Sequence, residues 1–473
     1  MTTAAADDRA SGSPTADAEQ GHQNRWRILA VLAAVAFMAQ LDLFIVNIAV
    51  PAIGRSFGGS LTGLSWVLNA YAIVFAALLV PAGRLADHFG RRRFLLAGVT
   101  VFTLASAACA AAPSLAILVA ARGLQAVGAA LIVPTSLGLL YPSFPRRQHA
   151  TVVGIWAGVA AVAGSSGPPA GGLLVAVNWR WIFLINVPIG VATLIGGWRL
   201  LPEVRAEKGA RLPDGVSAAL LLAAVSLLVL ATVEGPAWGW DSARTIGLLA
   251  AALVATALTV ARTIRHPYAL IEKSLFASRP FTFATIALFL FFVGFAIFLL
   301  NGTLFLQEEW HYSAVRAGLG IMPGPVTAAV FAVNAGRLAR RFGRVWPAVT
   351  GTACMAIAAL VWLALTTAHP SYFTEILPGM LVAGVSAGLT QAPLFAAASM
   401  LPPGRATTGS AVLNMSRQVG SAIGVAVVVV VLGTGARHTL AGYHHAWAAE
   451  AVAGVLAALA AAGSGLRGRA GRR

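Results

Sequence analysis

Charge is what this sequence lacks most. Of 473 residues only 10% are charged, 58% are hydrophobic, and mean hydropathy is +0.80. A water-soluble domain of that length could not cover its surface with so little charge, so a soluble globular protein is excluded and a polytopic membrane protein is indicated. Acid is scarcer than base: sixteen Asp and Glu against thirty-three Lys and Arg, a formal charge of +17. Nucleic-acid binding would need those bases gathered on a soluble domain or arm, and here they punctuate apolar runs. Lysine is almost absent. Lys208 and Lys273 are the two, and arginine supplies the rest, a pattern consistent with GC-rich coding. The two cysteines, Cys109 and Cys354, fall inside apolar runs, where they pack as small apolar residues and make no disulfide framework. Nine histidines show no metal-ligand spacing beyond the adjacent His444 and His445, and no Gly-Lys-Ser/Thr phosphate loop is present. With no ligand cluster, paired acids or activated nucleophile, enzyme chemistry and direct ATP coupling have no support. The first two dozen residues are polar and lack the basic start and cleavage site of a secretory signal, so a disordered tail is expected there.

What is present is long apolar runs. Runs of roughly 20 residues predict bilayer-spanning helices near 28–50, 66–86, 94–112, 115–140, 151–175 and 181–201. Two more lie near 215–233 and 244–263, after a charged connection holding Glu203, Arg205, Glu207, Lys208, Arg211 and Asp214. Six follow near 281–306, 317–336, 347–366, 373–397, 407–432 and 446–465. The expectation is an all-α membrane protein of fourteen helices.

The eleven residues Gly83 to Arg93, with Gly83, Asp87, Gly90, Arg91 and Arg92 among them, join two runs through a loop that three successive arginines keep out of hydrocarbon. The pattern returns 253 residues later from Gly336, with seven of eleven positions identical and Arg340 standing where the first copy has Asp87. Two copies of one loop imply two copies of one bundle, the plan of a carrier with its site between related halves. An offset of that size holds six spans and one extra helix pair. Placing the N-terminus inside puts twenty-six basic residues on that side and five on the other, with Arg122 and Arg417 within spans. The positive-inside rule therefore predicts cytoplasmic termini and a cytoplasmic Gly83–Arg93 loop.

Asp42 is the one acid expected deep in a span. An ionisable group in hydrocarbon costs several kcal/mol unless paired or hydrated, so its default reading is functional, against a structural polar contact as the alternative. At about 1.5 Å per residue, Asp42 lies about 9 Å and Arg122 about 10 Å below the same edge of a roughly 30 Å core. The two opposite charges share a level. A carboxylate that trades a guanidinium for a proton is a coupling switch, with Asp42 as carrier and Arg122 as the proton's competitor. Arg417 falls near mid-membrane with no acid expected at its depth. It either meets a substrate acceptor group or bonds carbonyls of a neighbouring span, and Asn414 and Gln418 beside it suggest a polar patch. The run Gly164 to Gly172, with Gly167, Pro168, Gly171 and Gly172, is expected to be a hinge or a tight helix contact. Glu308, Glu309, Glu375 and Glu450 are expected at a solvated outer rim.

Together these motifs resemble the major facilitator superfamily, and within it the fourteen-helix drug:proton antiporters of the EmrB/QacA type. Gly83, Asp87, Gly90, Arg91 and Arg92 match the loop that in the family forms a charged cytoplasmic latch. Arg122, Gly123, Gln125 and Gly128 match a helix-four motif associated with proton coupling. Gly167, Pro168, Gly171 and Gly172 match the helix-five motif characteristic of antiporters. Leu41 to Pro51, Asn178 to Gly190, and Arg417, Gln418 and Gly420 also look like the fourteen-helix group. His88 departs from the arginine or lysine common there, and no deep acid is expected in the second half, which disfavours dications as substrates.

The resemblance implies a major facilitator fold. A tail (1–24) precedes a six-helix bundle (25–202), two linker helices (203–272), a second bundle (273–466) and a basic tail (467–473). It implies proton-coupled efflux of amphipathic drugs or antibiotics across the bacterial inner membrane by alternating access. The alternative is an exporter dedicated to one native metabolite or self-made antibiotic, with a symporter or a non-transporting sensor behind it. No cofactor or metal is expected, protons being the coupling ion. The expected partners are a small amphipathic molecule and the lipid bilayer, not nucleic acid, and the working unit is a monomer. Asn47, Gln125, Asn414, Arg417 and Gln418 are the candidate substrate-cavity residues.

Overall fold

A computed structural model describes residues 24–145, 148–204, 214–265, 275–343, 345–401, 406–433 and 439–464. The two expected tails lie almost wholly outside that set, as does most of the charged connection before Asp214. Its regular elements are helices. In order they are α1 (Arg25–Phe57), α2 (Leu61–Phe89), α3 (Arg91–Ala111), α4 (Leu115–Leu140), α5 (His149–Val177), α6 (Trp181–Leu184), α7 (Asn186–Leu200), α8 (Gly215–Trp238) and α9 (Ala243–Arg265). The second half has α10 (Arg279–Leu304), α11 (Ala314–Ile321), α12 (Pro323–Phe342), α13 (Val345–Leu365), α14 (Leu377–Phe395), α15 (Ala406–Leu432) and α16 (Leu440–Gly463).

Among the described residues, thirteen helical segments are long and apolar enough to cross a membrane. The apolar part of α5, Val162–Val177, is shorter. Two spans expected to run unbroken are interrupted. The run near 181–201 divides at Ile185, because Pro188 has no N–H to give the Leu184 carbonyl, and the run near 317–336 divides at Met322, just before Pro323. Proline does not break α5: Pro168 and Pro169 lie inside one 29-residue helix.

Buried hydroxyls avoid desolvation by bonding back along their own helices, as Thr103 does to Val99, Thr303 to Leu299 and Thr352 to Ala348, each at 2.7 Å. Helix starts are capped where the sequence supplies an oxygen: Ser60 accepts from the Gly63 N–H, Ser313 from Arg316 and Thr439 from Gly442.

The halves meet along two seams, α2 against α15 and α5 against α11, while α8 packs on both α2 and α15. At the second seam the backbones nearly touch. A Cβ on Gly172 would lie 2.6 Å from the Ala314 carbonyl oxygen, and one on Gly318 would run into the Pro168 carbonyl. This closure is on the face opposite the Gly83–Arg93 loop, where Gln307 also donates to the Ile48 carbonyl at 3.2 Å.

Candidate functional site

Asp42, fully buried in α1, is the centre of a polar cluster that draws on four helices. Arg122 of α4 donates from Nη1 to Asp42 Oδ2 at 2.5 Å. The equal depths expected from residue counting are thus a direct ion pair, with side-chain exposures of 0% for Asp42 and 1% for Arg122. Gln125, one turn along α4, accepts from Arg122 at 2.5 Å and donates from Nε2 to Asp42 Oδ1 at 2.9 Å and to Ser106 Oγ of α3 at 2.8 Å. Asn186, at the start of α7, donates to the same Asp42 oxygen at 3.1 Å. The carboxylate therefore accepts from three side chains. The guanidinium has further partners, the Val67 carbonyl at 3.1 Å from Nε and the Tyr71 ring 4.3 Å from Cζ.

Such an arrangement can hold opposite charges in hydrocarbon while leaving the carboxylate able to exchange one partner for another. Asn186 and Ser106 are the members that sequence reasoning missed as site residues. Asn186 stood in a matched motif without a role, and Ser106 gives no sequence signal, since only packing brings α3 to the cluster.

The five residues expected to line one cavity do not bond to one another, although Asn414, Arg417 and Gln418 share one stretch of α15. Gln125 belongs to the Asp42 cluster. Asn47 is buried and gives its amide to the Leu43 carbonyl of its own helix at 3.0 Å. Asn414 does the same to Ser410, and Gln418 is buried with its Nε2 unpartnered. Arg417 reaches across the seam to Gln40 Oε1 at 3.3 Å and lies 5.4 Å from the Phe292 ring.

The Gly83–Arg93 stretch, expected as a loop, is helical except at Gly90, since α2 runs on to Phe89 and α3 starts at Arg91. Arg91 pairs with Asp87 at 2.6 Å and donates to the Gly138 carbonyl of α4 at 2.5 Å. Arg92 donates to the Trp198 carbonyl of α7 at 2.5 Å and, through its backbone, to Glu203 at 3.2 Å. Gly90, at φ 120, lets the Glu203 carboxylate lie where any Cβ would collide with it. Glu203, read from sequence only as part of a charged connection, is thus a partner of this loop. Gly343, at φ 92, makes the equivalent turn in the second copy.

Gly167 and Gly171 of α5 face α1, where added Cβ atoms would lie 2.8 Å from Phe44 and 3.0 Å from Ile45. With Gly172 on α11, this run is a three-helix contact. The Trp179-Arg180 pair fastens the same end: Trp179 donates to Ser56 Oγ and Arg180 to the Ala112 carbonyl, both at 2.9 Å.

One acid departs from expectation. Glu450 is not on a solvated rim: it is wholly buried in α16, and neither carboxylate oxygen has a hydrogen-bond partner. It lies ten residues into a helix that packs against α10 and α13. Glu234 accepts from Trp66 Nε1 at 3.1 Å, fixing α8 to α2. Asp214, at the start of α8, takes a two-pronged bond from Arg262 of α9 at 2.5 and 3.0 Å and one from Ser217 at 2.5 Å. The Arg262 bond, aided by Ser217, holds the Asp214 carboxyl well below the usual carboxylate range.

Residues 32–425 match the Major Facilitator Superfamily model. The chain is 36% identical over 421 residues to the multidrug resistance protein Stp of Mycobacterium tuberculosis, covering 88% of this chain and 78% of that one. It is 34% identical over 415 residues to the tetracenomycin C resistance and export protein of Streptomyces glaucescens, covering 86% and 76%. Against the methylenomycin A resistance protein of Bacillus subtilis it is 34% identical over 413 residues, covering 86% and 87%.

Its fold is similar to that of a bacterial homologue of the human lysosomal transporter Spinster in an inward-facing, unoccupied conformation, at TM-score 0.63, 15% identity and coverage of 94% and 96%. The xylose transporter XylE, partially occluded and inward open, aligns at TM-score 0.63 and 14% identity, with coverage of 92% and 96%. A family match over most of the length, relatives above 30% identity and a shared helical fold agree: the chain belongs to the Major Facilitator Superfamily, as a multi-pass membrane transporter and not an enzyme.

Proposed function

We propose that this transporter is a proton-coupled antiporter of the fourteen-helix drug:proton type, exporting amphipathic drugs or antibiotics across a bacterial inner membrane. Both termini are cytoplasmic. The two six-helix bundles, 25–202 and 273–466, rock about a central site, and α8 and α9 are the added pair between them. The observation that carries the reading is the Asp42–Arg122 pair, two fully buried opposite charges joined to Gln125, Asn186 and Ser106.

In the proposed cycle a proton reaching Asp42 neutralises it and frees Arg122. Release of the proton on the other side restores the pair, so each exchange is tied to one passage between conformations. Gly83, Asp87, Gly90, Arg91 and Arg92 act at the cytoplasmic gate, while Gly167, Pro168, Gly171 and Gly172 carry the opposite closure. The names of the relatives, multidrug resistance in one and resistance and export of a single antibiotic in another, support efflux. The single-antibiotic names also favour a second reading, an exporter dedicated to one native metabolite.

The test is substrate-driven proton release from acidified proteoliposomes over a panel of neutral, cationic and anionic amphiphiles, with wild type and Asp42→Asn in parallel. Proton release with some compounds, lost in the variant, is expected. A variant that matched wild type would place coupling elsewhere.

A further inference from the structure

Two arginines lie well inside membrane helices among the described residues, and their surroundings differ. Arg417 makes no ion pair with an acid among the described residues, whereas Arg122 pairs with Asp42. Its polar contact is the neutral amide of Gln40, on the other half of the molecule, and its second neighbour is the face of Phe292. A guanidinium in a low-dielectric interior without a counter-charge is strongly unfavourable, and one amide oxygen with one aromatic face does not replace an anion.

The group is also only partly covered. Arg417, Gln40, Phe44 and Asn414 keep accessible surface where α1, α10 and α15 converge. The Tyr71 hydroxyl of α2 is buried and has no hydrogen-bond partner among the described residues.

We propose that this convergence is an anion-accepting subsite, and that the molecules carried present a carboxylate to Arg417. The inference rests on the carrier reading above and names the substrate class of its central site. The guanidinium fork matches a carboxylate with two parallel N–H donors. The apolar body of the ligand has a surface beside it. Phe44 and Phe295 meet edge to face across the seam at 6.1 Å, and Phe292 lies 5.7 Å from Phe295. An aromatic amphiphile with one acidic end fits that pairing of charge and rings. An organic cation would face Arg417, which has no acid in contact with it among the described residues.

The test compares matched ligands that differ only in charge, 1-pyrenebutyrate and 2-naphthoate against their methyl esters, for binding to the purified full chain in detergent. Wild type is expected to bind the acids at least tenfold more tightly than the esters. Arg417→Gln is expected to erase that preference by weakening the acids while ester binding stays within twofold, which also shows the variant is folded. Arg417→Lys should keep part of the preference, since it restores charge without the fork. Esters binding wild type as well as the acids, or an acid preference that survives Arg417→Gln, would overturn the assignment. Proton-coupled transport of neutral or cationic amphiphiles by the same protein in proteoliposomes would then leave the carrier reading standing, so the two fail separately.

Discussion

Three buried polar side chains here make different predictions although all would count as polar residues in hydrocarbon. Asp42 is bonded from three sides, so removing it strands Arg122. Asp42→Leu is expected to destabilise by about 3–5 kcal/mol, the usual cost of breaking a buried pair from one side, seen as a lower midpoint of thermal unfolding in detergent. Gln125 joins both charges to Ser106, and Gln125→Leu leaves buried acceptors and donors unmatched. A loss of about 1–3 kcal/mol and at least a tenfold fall in coupled transport are expected, measured by unfolding and proteoliposome assays. Glu450 is the contrast, since neither of its oxygens has a partner to lose. Glu450→Leu should leave the unfolding midpoint unchanged or raise it, because a similar-sized apolar group removes an unsatisfied one; a drop as large as that of Asp42→Leu would show a hidden partner.

Helices carry the next set of consequences. The contact of α5 with α11 depends on the absence of a side chain at Gly172, where even one methyl meets the Ala314 carbonyl oxygen. Gly172→Val should pry that face apart and shift the population toward the conformation open there. Labelling of Gln307→Cys by a membrane-impermeant maleimide would then rise while transport falls; unchanged labelling would mean the seam tolerates the bulk. The extra pair is held as a hairpin by Asp214 and Arg262 and to α2 by Glu234 and Trp66. Because the Asp214 carboxyl is held below its usual range, the stability it gives is full above about pH 4, the ordinary aspartate value, and is lost as pH falls through its lower folded value. The gap in unfolding midpoint between wild type and Asp214→Asn should therefore be present at pH 6 and shrink toward pH 2.

At the scale of the whole molecule the two halves are joined tightly at the face opposite the Gly83–Arg93 loop, by α5 on α11 and Gln307 on Ile48. Arg91 and Arg92 of the Gly83–Arg93 stretch bond to Gly138, Trp198 and Glu203, which brace α3 against α4, α7 and the start of the linker. Rocking of the halves would have to rework the α2–α15 and α5–α11 seams and the Arg417–Gln40 bond across the middle.

The sequence by itself determined the solvent, the succession of long apolar runs, the repeat and the shared level of Asp42 and Arg122. Each follows from one-dimensional quantities: hydropathy, the 253-residue offset, and a rise per residue that converts position into depth. Only tertiary structure decided the azimuth. Depth says how far along a helix a side chain lies, and not which way it faces. So Gln125 and Asn47, assigned from sequence to one cavity with Arg417, turn instead to the Asp42 cluster and to their own helix. Glu450, placed at a rim, faces inward, while Ser106 and Asn186 enter the site from helices that no spacing connects to Asp42. Facing is set by how helices pack side by side, and packing depends on every neighbour at once.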